Sequence, residues 1–88
     1  VMIGPYDLSG SYGVPGEVTN QIVTEASNKV VEACKKFKKS CGTQLSVPRK
    51  VSIEEAINIG YTFIILGSDL FALTNWSSNM SEIIRDFK

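Results

Sequence analysis

One carboxylate, Asp7, stands where the sequence is best placed to do chemistry. It follows a short apolar run, residues 1–3, and the pair Gly4 and Pro5, a pattern typical of a buried strand that ends in a turn. A carboxylate just past the end of a parallel strand can give an oxygen ligand to a hard divalent cation. The turn also leaves the backbone N–H groups of Tyr6 and Asp7 free to bind an anion. An Asx-type bond from Asp7 to the backbone explains the same spacing equally well.

Other polar residues beside predicted strands are weaker candidates. Ser9 and Ser11 follow Asp7 closely and could touch a substrate, but local turn bonds account for them equally well. Asp69 follows the last predicted strand, where an aspartate is more often the N-cap of the next helix. Gln44 lies in a strand whose end would face the same site. Arg49 follows that strand but belongs to no recognisable motif.

Apolar runs predict three strands, at residues 1–3, 41–47 and 61–66. The third run is almost unbroken, which is typical of a parallel strand that is buried on both faces. The stretch 10–19 is rich in Gly, Ser and Pro and is predicted to be a loop.

A helix is predicted after each of these strands. The first begins after a cap at residue 19 or 20. The second is predicted to begin with a capping box, in which Ser52 is the N-cap and Glu55 reaches back, and to end at Gly60. The pattern leaves open whether 70–87 is one helix or two, broken near residue 77. Apolar residues at helical spacing predict the sheet-facing stripe of the first helix: Ile22, Ala26, Val30, Ala33, Cys34 and Phe37.

The resulting order is βαβαβα, which gives an α/β fold with parallel strands. Three such units alone leave one edge and one face of the sheet poorly protected. We therefore expect residues 1–88 to be the C-terminal portion of a (β/α)8 TIM barrel, a single domain, rather than a free-standing doubly wound sheet. Composition does not decide between the two. A strand at the first residue, with no initiating Met, also leads us to expect further sequence upstream.

Composition excludes several classes of function. Nine basic and nine acidic side chains cancel, so there is no global charge to favour nucleic acid or an anionic membrane. The chain has no histidine, which excludes a histidine triad or a histidine metal site formed by these residues. Cys34 and Cys41 are predicted to be free thiols in a reducing cytoplasm. The longest apolar run is too short to cross a bilayer, and no signal peptide is recognisable.

The run from Ile3 through Asp7 to Gly13, IGPYDLSGSYG, resembles the GPxDLSxSxG stretch of the HpcH/HpaI aldolase family of class II 2-oxo acid aldolases. Gly67, Ser68 and Asp69 are similar to that family's lGsD sequence at the end of its last barrel strand, and Gly60 fits the approach to it. The first motif is fairly specific, and the second is useful mainly by its distance from the first. The resemblance covers nearly all of this chain but only about the last third of a family member.

This resemblance implies a (β/α)8 barrel that cleaves a 2-oxo-4-hydroxy acid to pyruvate and an aldehyde. It implies a Mg²⁺ or Mn²⁺ cofactor, with Co²⁺ as a further candidate, and Asp7 as one of two carboxylate ligands. The backbone amides of Tyr6 and Asp7 would then hold the carboxylate of the pyruvyl group. A cation chelated by the 2-oxo acid polarises its carbonyl group and stabilises the enolate that cleavage produces.

The family's second carboxylate, its arginine and its base system would lie upstream, so no catalytic residue is assigned here. These residues alone are expected to be inactive. A decarboxylase or citrate lyase-like enzyme on the same scaffold is an alternative, as is a non-catalytic half-barrel that needs a partner chain. Relatives often exchange the last helix between subunits, which implies a homo-oligomer formed through that helix.

Overall fold

In a computed structural model, which describes residues 1–87, the chain forms two short parallel strands and four helices. The second and third predicted strands and the three predicted helices are formed in the predicted order, whereas the first predicted strand is reduced to a single bridge and a helix is added after it. Their bounds are α1 Pro5–Ser11, α2 Gln21–Lys36, β1 Gly42–Leu45, α3 Lys50–Ile59, β2 Phe63–Leu66 and α4 Asp69–Arg85.

The sheet is parallel, as predicted. Strands β1 and β2 pair in a register that sets Gly42 opposite Phe63 and Leu45 opposite Leu66. The first predicted strand is reduced to an isolated parallel bridge between Met2 and Gly42. Two hydrogen bonds hold it there: the Ile3 amide donates to the Gly42 carbonyl oxygen at 2.8 Å, and the Gly42 amide donates to the Val1 carbonyl oxygen at 2.7 Å. Residues 1–3 therefore extend the sheet beside β1.

One face of this sheet is covered by helices. Ile3 and Cys41 are buried with Val31 and Cys34 of α2 in one apolar cluster, against which Tyr61 packs. Thr43 of β1 and Ala56 of α3 are buried as well. Burial of these apolar side chains is the main force that holds α2 against the strands.

The opposite face of the sheet is open. A Cβ added to Gly42 would lie 2.8 Å from Cδ1 of Phe63 and 2.9 Å from Sδ of Met2, so these two side chains meet over the glycine. Phe63 is nevertheless 56% exposed and Ile65 38% exposed. A sheet with helices on one face and apolar side chains on the other is what a segment of a (β/α) barrel presents, because the inner face is filled by the remaining strands.

Helix α1 was not predicted. The sequence predicts a turn after the first strand and the beginning of a loop over these residues. Pro5 occupies the first helical position, where its fixed φ favours helix and its missing N–H costs nothing. The helix ends by Tyr12, and a loop with positive φ at Gly13 and Gly16 follows.

The start of α3 also differs from the prediction. The helix begins at Lys50, so Ser52 is the third helical residue and not the N-cap. The Ser52 hydroxyl accepts a hydrogen bond from the Arg49 amide at 2.9 Å. The expected capping box with Glu55 is therefore wrong, because the Ser52 hydroxyl already serves the residue before the helix. The predicted stop at Gly60 is confirmed, with φ of 119°.

The predicted stripe of α2 was partly wrong. The buried residues of this helix are Val23, Val31 and Cys34, whereas Ile22 is 42% exposed and Phe37 is 66% exposed. The residues of α2 that face the sheet therefore lie about one position later in the sequence than predicted, for example Val23 in place of Ile22. Asn20 caps it, since its Oδ1 accepts the Ile22 amide at 3.1 Å.

Helix α4 is a single helix without a break near residue 77. None of its residues among those described is buried, and Leu70, Leu73, Trp76 and Ile84 are all more than half exposed. Its length and apolar surface do not amount to a membrane-spanning segment, and the same holds for the other helices of residues 1–87.

Candidate functional site

The candidate site is built around the first turn of α1. The backbone of Ile3 is bonded into the sheet and its side chain is buried, so α1 begins where the first parallel segment ends. Asp7 is the third residue of the helix and is exposed. A Cβ on Gly4 would lie 3.4 Å from Oδ2 of Asp7, so the glycine keeps the space beside this carboxylate open.

The Asp7 carboxylate is not used within the described chain. Among residues 1–87 it forms neither a hydrogen bond nor an ion pair, so the Asx-type turn bond that was considered as an alternative is not formed. A carboxylate in the first turn favours the helix electrostatically, and this accounts for part of its presence. Its oxygens remain available to a ligand.

The backbone amides of Tyr6 and Asp7 are also at the start of α1. The amide of Leu8 donates to the Gly4 carbonyl oxygen at 2.9 Å, which is the first bond of the helical pattern. The two preceding amides have no acceptor within the helix, as is general for a first turn. Gly4 offers no side chain to cap them. The turn therefore places an exposed carboxylate next to two amide donors.

Ser9 and Ser11 have structural partners instead of facing the site. Ser9 is completely buried, and its hydroxyl donates to the Tyr6 carbonyl oxygen at 2.6 Å while accepting the Gly16 amide at 3.0 Å. The Ser11 hydroxyl donates to the Asp7 carbonyl oxygen at 3.1 Å. Local hydrogen bonds, the second of the two explanations considered for these serines, therefore account for both.

Ser46, just after β1, and two residues of α4 meet near this turn. The Tyr6 hydroxyl donates to Oγ of Ser46 at 3.3 Å, and the Tyr6 ring lies 5.6 Å from that of Phe71, centroid to centroid. Nδ2 of Asn75 donates to the Ser46 carbonyl oxygen at 3.5 Å. Sequence reasoning missed Ser46, Phe71 and Asn75. The only available signal was the position of Ser46 at the end of a predicted strand.

The other sequence candidates take different positions. Nε2 of Gln44 donates to the Gly67 carbonyl oxygen at 3.2 Å, which ties the end of β1 to the turn after β2. Ser68, not Asp69, is the N-cap of α4, since its hydroxyl accepts the Phe71 amide at 3.2 Å. The cap expected of Asp69 was therefore wrong by one residue, and its carboxylate accepts the Leu70 amide. Arg49 is exposed at the start of α3.

A cleft of about 310 Å³ lies beside Tyr6, between the sheet and α3. Its wall includes Gln44, Ser46, Glu55 and Tyr61. Burial raises the pKa of the Tyr61 hydroxyl, and the neighbouring Cys41 adds to that effect. An ordinary tyrosine is already protonated at neutral pH, so the raised pKa leaves Tyr61 as a neutral hydrogen-bonding group.

A cation at this turn would find an incomplete set of ligands in the chain. Asp7 supplies oxygen donors of the type that Mg²⁺ and Mn²⁺ prefer. Residues 1–87 contain no group of three or more His, Cys, Asp or Glu side chains that could hold a metal ion together. Asp7 therefore fits as one ligand, and the others would have to come from outside the described residues.

No family model and no curated protein matches this sequence. Solved structures do match its fold. An HpcH/HpaI aldolase from Desulfitobacterium hafniense DCB-2 is 24% identical with a TM-score of 0.82, over 97% of this chain and 32% of that one. An HpcH/HpaI aldolase/citrate lyase family protein from Burkholderia cenocepacia J2315 is 23% identical with a TM-score of 0.80, over 96% and 32%. The citrate synthase SbnG is 24% identical with a TM-score of 0.75, over 97% and 35%.

The resemblance seen in the sequence is thus confirmed at the level of the fold. The chain spans about a third of the length of each of these structures, so it corresponds to one section of their fold. Helices on one face of a parallel sheet and an open apolar face on the other agree with that section being part of a barrel. Residues 1–87 have the fold of part of a TIM-barrel-like HpcH/HpaI aldolase structure.

Proposed function

We propose that this chain is part of a metal-dependent HpcH/HpaI-type aldolase, which cleaves a 2-oxo-4-hydroxy acid to pyruvate and an aldehyde. The observation that carries the proposal is the carboxylate of Asp7, which has no partner among residues 1–87 and is exposed at the end of a parallel sheet segment, in a fold shared with such enzymes. In barrel enzymes this end of the strands is where active sites form.

In this proposal the first turn of α1 binds two partners. The Asp7 carboxylate holds one side of a divalent cation, Mg²⁺ or Mn²⁺ or else Co²⁺. The amides of Tyr6 and Asp7 donate hydrogen bonds to the carboxylate of the 2-oxo acid, as amides at the start of a helix do for anions. A bound cation supplies Lewis-acid polarisation of the substrate's 2-oxo group.

The reaction breaks the carbon–carbon bond between C3 and C4 of the substrate. The C4 hydroxyl loses its proton to a base, C4 leaves as the aldehyde, and C3 takes up a proton to complete pyruvate. The chain contains no histidine, and no base is assigned within it. Its contribution in this proposal is to bind and orient the 2-oxo acid, and we expect these residues alone to be inactive.

A second candidate function is a citrate lyase-like reaction or a decarboxylation on the same scaffold. Two of the similar structures favour keeping it, since one is described as an aldolase/citrate lyase family protein and another as a citrate synthase. The Asp7 turn would bind a 2-oxo acid or a related carboxylate in either reaction. A non-catalytic half-barrel that pairs with a partner chain is a third candidate, supported by the open face of the sheet.

We also propose that the protein assembles as a homo-oligomer through α4 and acts in the cytoplasm. The exposed apolar side chains of α4, among them Trp76 and Leu73, support the first point. Exposed apolar side chains grouped in this way often mark a surface that contacts another protein chain. Cys34 and Cys41 are both free thiols, which is consistent with a reducing compartment.

The test is pyruvate release from a 2-oxo-4-hydroxy acid by the complete natural polypeptide, with and without Mn²⁺. Asp7→Ala should abolish the metal-dependent rate, because it removes a ligand oxygen. Asp86→Asn is the control, since it changes an exposed carboxylate at the far end of α4. Unchanged metal-dependent release by Asp7→Ala would refute the aldolase proposal. Release of CO₂ instead of an aldehyde would favour the decarboxylase.

A further inference from the structure

The side chain of Tyr6 connects the first turn of α1 to two other parts of the fold. Its hydroxyl donates to Ser46, in the segment after β1, and its ring lies against Phe71 in the first turn of α4. Asn75, one turn further along α4, donates to the Ser46 carbonyl oxygen. Tyr6, Ser46 and α4 thus form a closed set of contacts around the ends of the strands.

The position of the Asp7 carboxylate depends on this turn. Asp7 has no side-chain partner among residues 1–87, and Gly4 does not cap the helix. The end of the turn is held by Leu8, which packs against the apolar core. At its beginning, Tyr6 is the residue whose side chain forms a hydrogen bond to another element. Its contacts therefore restrain the backbone that carries both Asp7 and the two exposed amides.

We infer that Tyr6 is a positioning residue, which orients the Asp7 carboxylate and the adjacent amides toward a metal-bound 2-oxo acid through its hydrogen bond to Ser46. This inference rests on the proposed function. Tyr6 touches neither ligand with its side chain in this scheme. It acts by keeping the turn in one orientation, which lowers the conformational entropy that the turn loses when the ligand binds.

Two pairs of variants test the inference in the complete natural polypeptide. Tyr6→Phe removes the hydroxyl and keeps the ring beside Phe71, and Ser46→Ala removes the other partner of the same bond. Tyr12→Phe is a matched control, because Tyr12 follows the same helix and is 47% exposed against 45% for Tyr6. Mn²⁺ binding is followed by electron paramagnetic resonance, and pyruvate binding in the presence of Mn²⁺ by calorimetry. Thermal unfolding is measured on every variant.

Tyr6→Phe and Ser46→Ala should each weaken binding of pyruvate with Mn²⁺ by about twofold, because the bond is exposed and joins two oxygens 3.3 Å apart, so that water replaces part of it. The double variant should lose no more than either single variant, because both remove the same bond. The unfolding midpoint of Tyr6→Phe should lie slightly below that of Tyr12→Phe, because the bond exists without ligand. Mn²⁺ with pyruvate should then raise the midpoint less for Tyr6→Phe than for Tyr12→Phe, which a purely structural role for the hydroxyl would not give.

The inference is overturned if Tyr6→Phe binds as tightly as Tyr12→Phe, or if the losses of Tyr6→Phe and Ser46→Ala add. Both results leave the proposed function intact, because the wild-type protein still binds. A folded wild-type protein that binds no Mn²⁺ and no pyruvate overturns the proposed function itself, and the inference falls with it.

Discussion

Ser9→Ala should destabilise this fold far more than its small size suggests. The Ser9 hydroxyl is completely buried and joins two separate backbone groups, the Tyr6 carbonyl oxygen at 2.6 Å and the Gly16 amide at 3.0 Å. It thereby holds the glycine-containing loop against α1. Alanine fits the space but leaves both groups without this partner.

The magnitude follows from those two bonds. A typical hydrogen bond contributes about 0.5–1.5 kcal/mol to stability. The bond from the Gly16 amide to the Ser9 hydroxyl is partly buried, since Ser9 is fully buried whereas Gly16 is exposed. We therefore expect Ser9→Ala to lower the free energy of unfolding by about 1 kcal/mol or more, since both of its bonds are lost.

Ser11→Ala is the matched control. Ser11 lies in the same helix, but its hydroxyl is exposed and makes a single bond, to the Asp7 carbonyl oxygen at 3.1 Å. Its loss should cost less than about 0.5 kcal/mol, since water can replace that bond. Urea unfolding followed by circular dichroism measures both variants. Equal effects of Ser9→Ala and Ser11→Ala would show that the buried hydroxyl does not hold the loop.

Two further predictions concern stability. Gly60→Ala should lower the free energy of unfolding by at least about 1 kcal/mol, because φ is 119° there and a Cβ would lie 2.6 Å from Cε of Lys35. Urea unfolding of Gly60→Ala beside Gly10→Ala, where nothing lies within 4 Å of the added Cβ, checks this, and equal losses would contradict it. Burial, followed by the neighbouring Cys34 thiol, raises the pKa of Cys41 in the folded chain. The folded state therefore binds that proton more tightly than the unfolded state, and the resulting stability is present at neutral pH and is lost as the pH rises through the raised pKa. Urea unfolding at pH 7 and pH 10 should show a smaller fall with pH for Cys41→Ala than for the wild-type chain, and identical falls would argue against a shifted Cys41.

The sequence predicted two of the three strands and the three longer helices in order, because runs and periods of apolar residues indicate them. The unbroken apolar run at 63–66 indicated a parallel strand buried on both faces, and β2 lies there beside β1. The expected burial is not seen within residues 1–87, where Phe63, Ile65 and Leu66 are exposed. Gly60 predicted the end of α3 because few residues other than glycine adopt a φ of 119° readily. Both signals are local, and both are confirmed.

What the sequence did not predict depends on short elements or on distant contacts. Helix α1 has 7 residues, too few for a helical period to be recognised in a segment rich in Gly and Ser. The sheet-facing side of α2 is determined by how the helix meets Ile3 and Cys41, so exposed Phe37 could not be told from buried Val31. Helix α3 begins earlier than predicted, at Lys50, and the Ser52 hydroxyl accepts a hydrogen bond from the Arg49 amide instead of capping the helix.

The candidate site was predicted in part. Asp7 and the two amides were found from their position after a strand and from a family resemblance, and the structure places them together in one turn. The contacts of Tyr6 with Ser46 and Phe71 were not predicted, because those residues are far apart in the sequence and carry no motif. The role of Asp7 as a metal ligand remains a prediction.

A crystal structure of the complete natural polypeptide with Mn²⁺ and pyruvate tests that role most directly. We predict an anomalous peak for Mn²⁺ at about 2.0–2.3 Å from a carboxylate oxygen of Asp7, the range usual for hard divalent cations. The pyruvate carboxylate should lie within hydrogen-bond distance of the Tyr6 and Asp7 amides. A bound Mn²⁺ and pyruvate that leave Asp7 and these amides without contact would contradict the account.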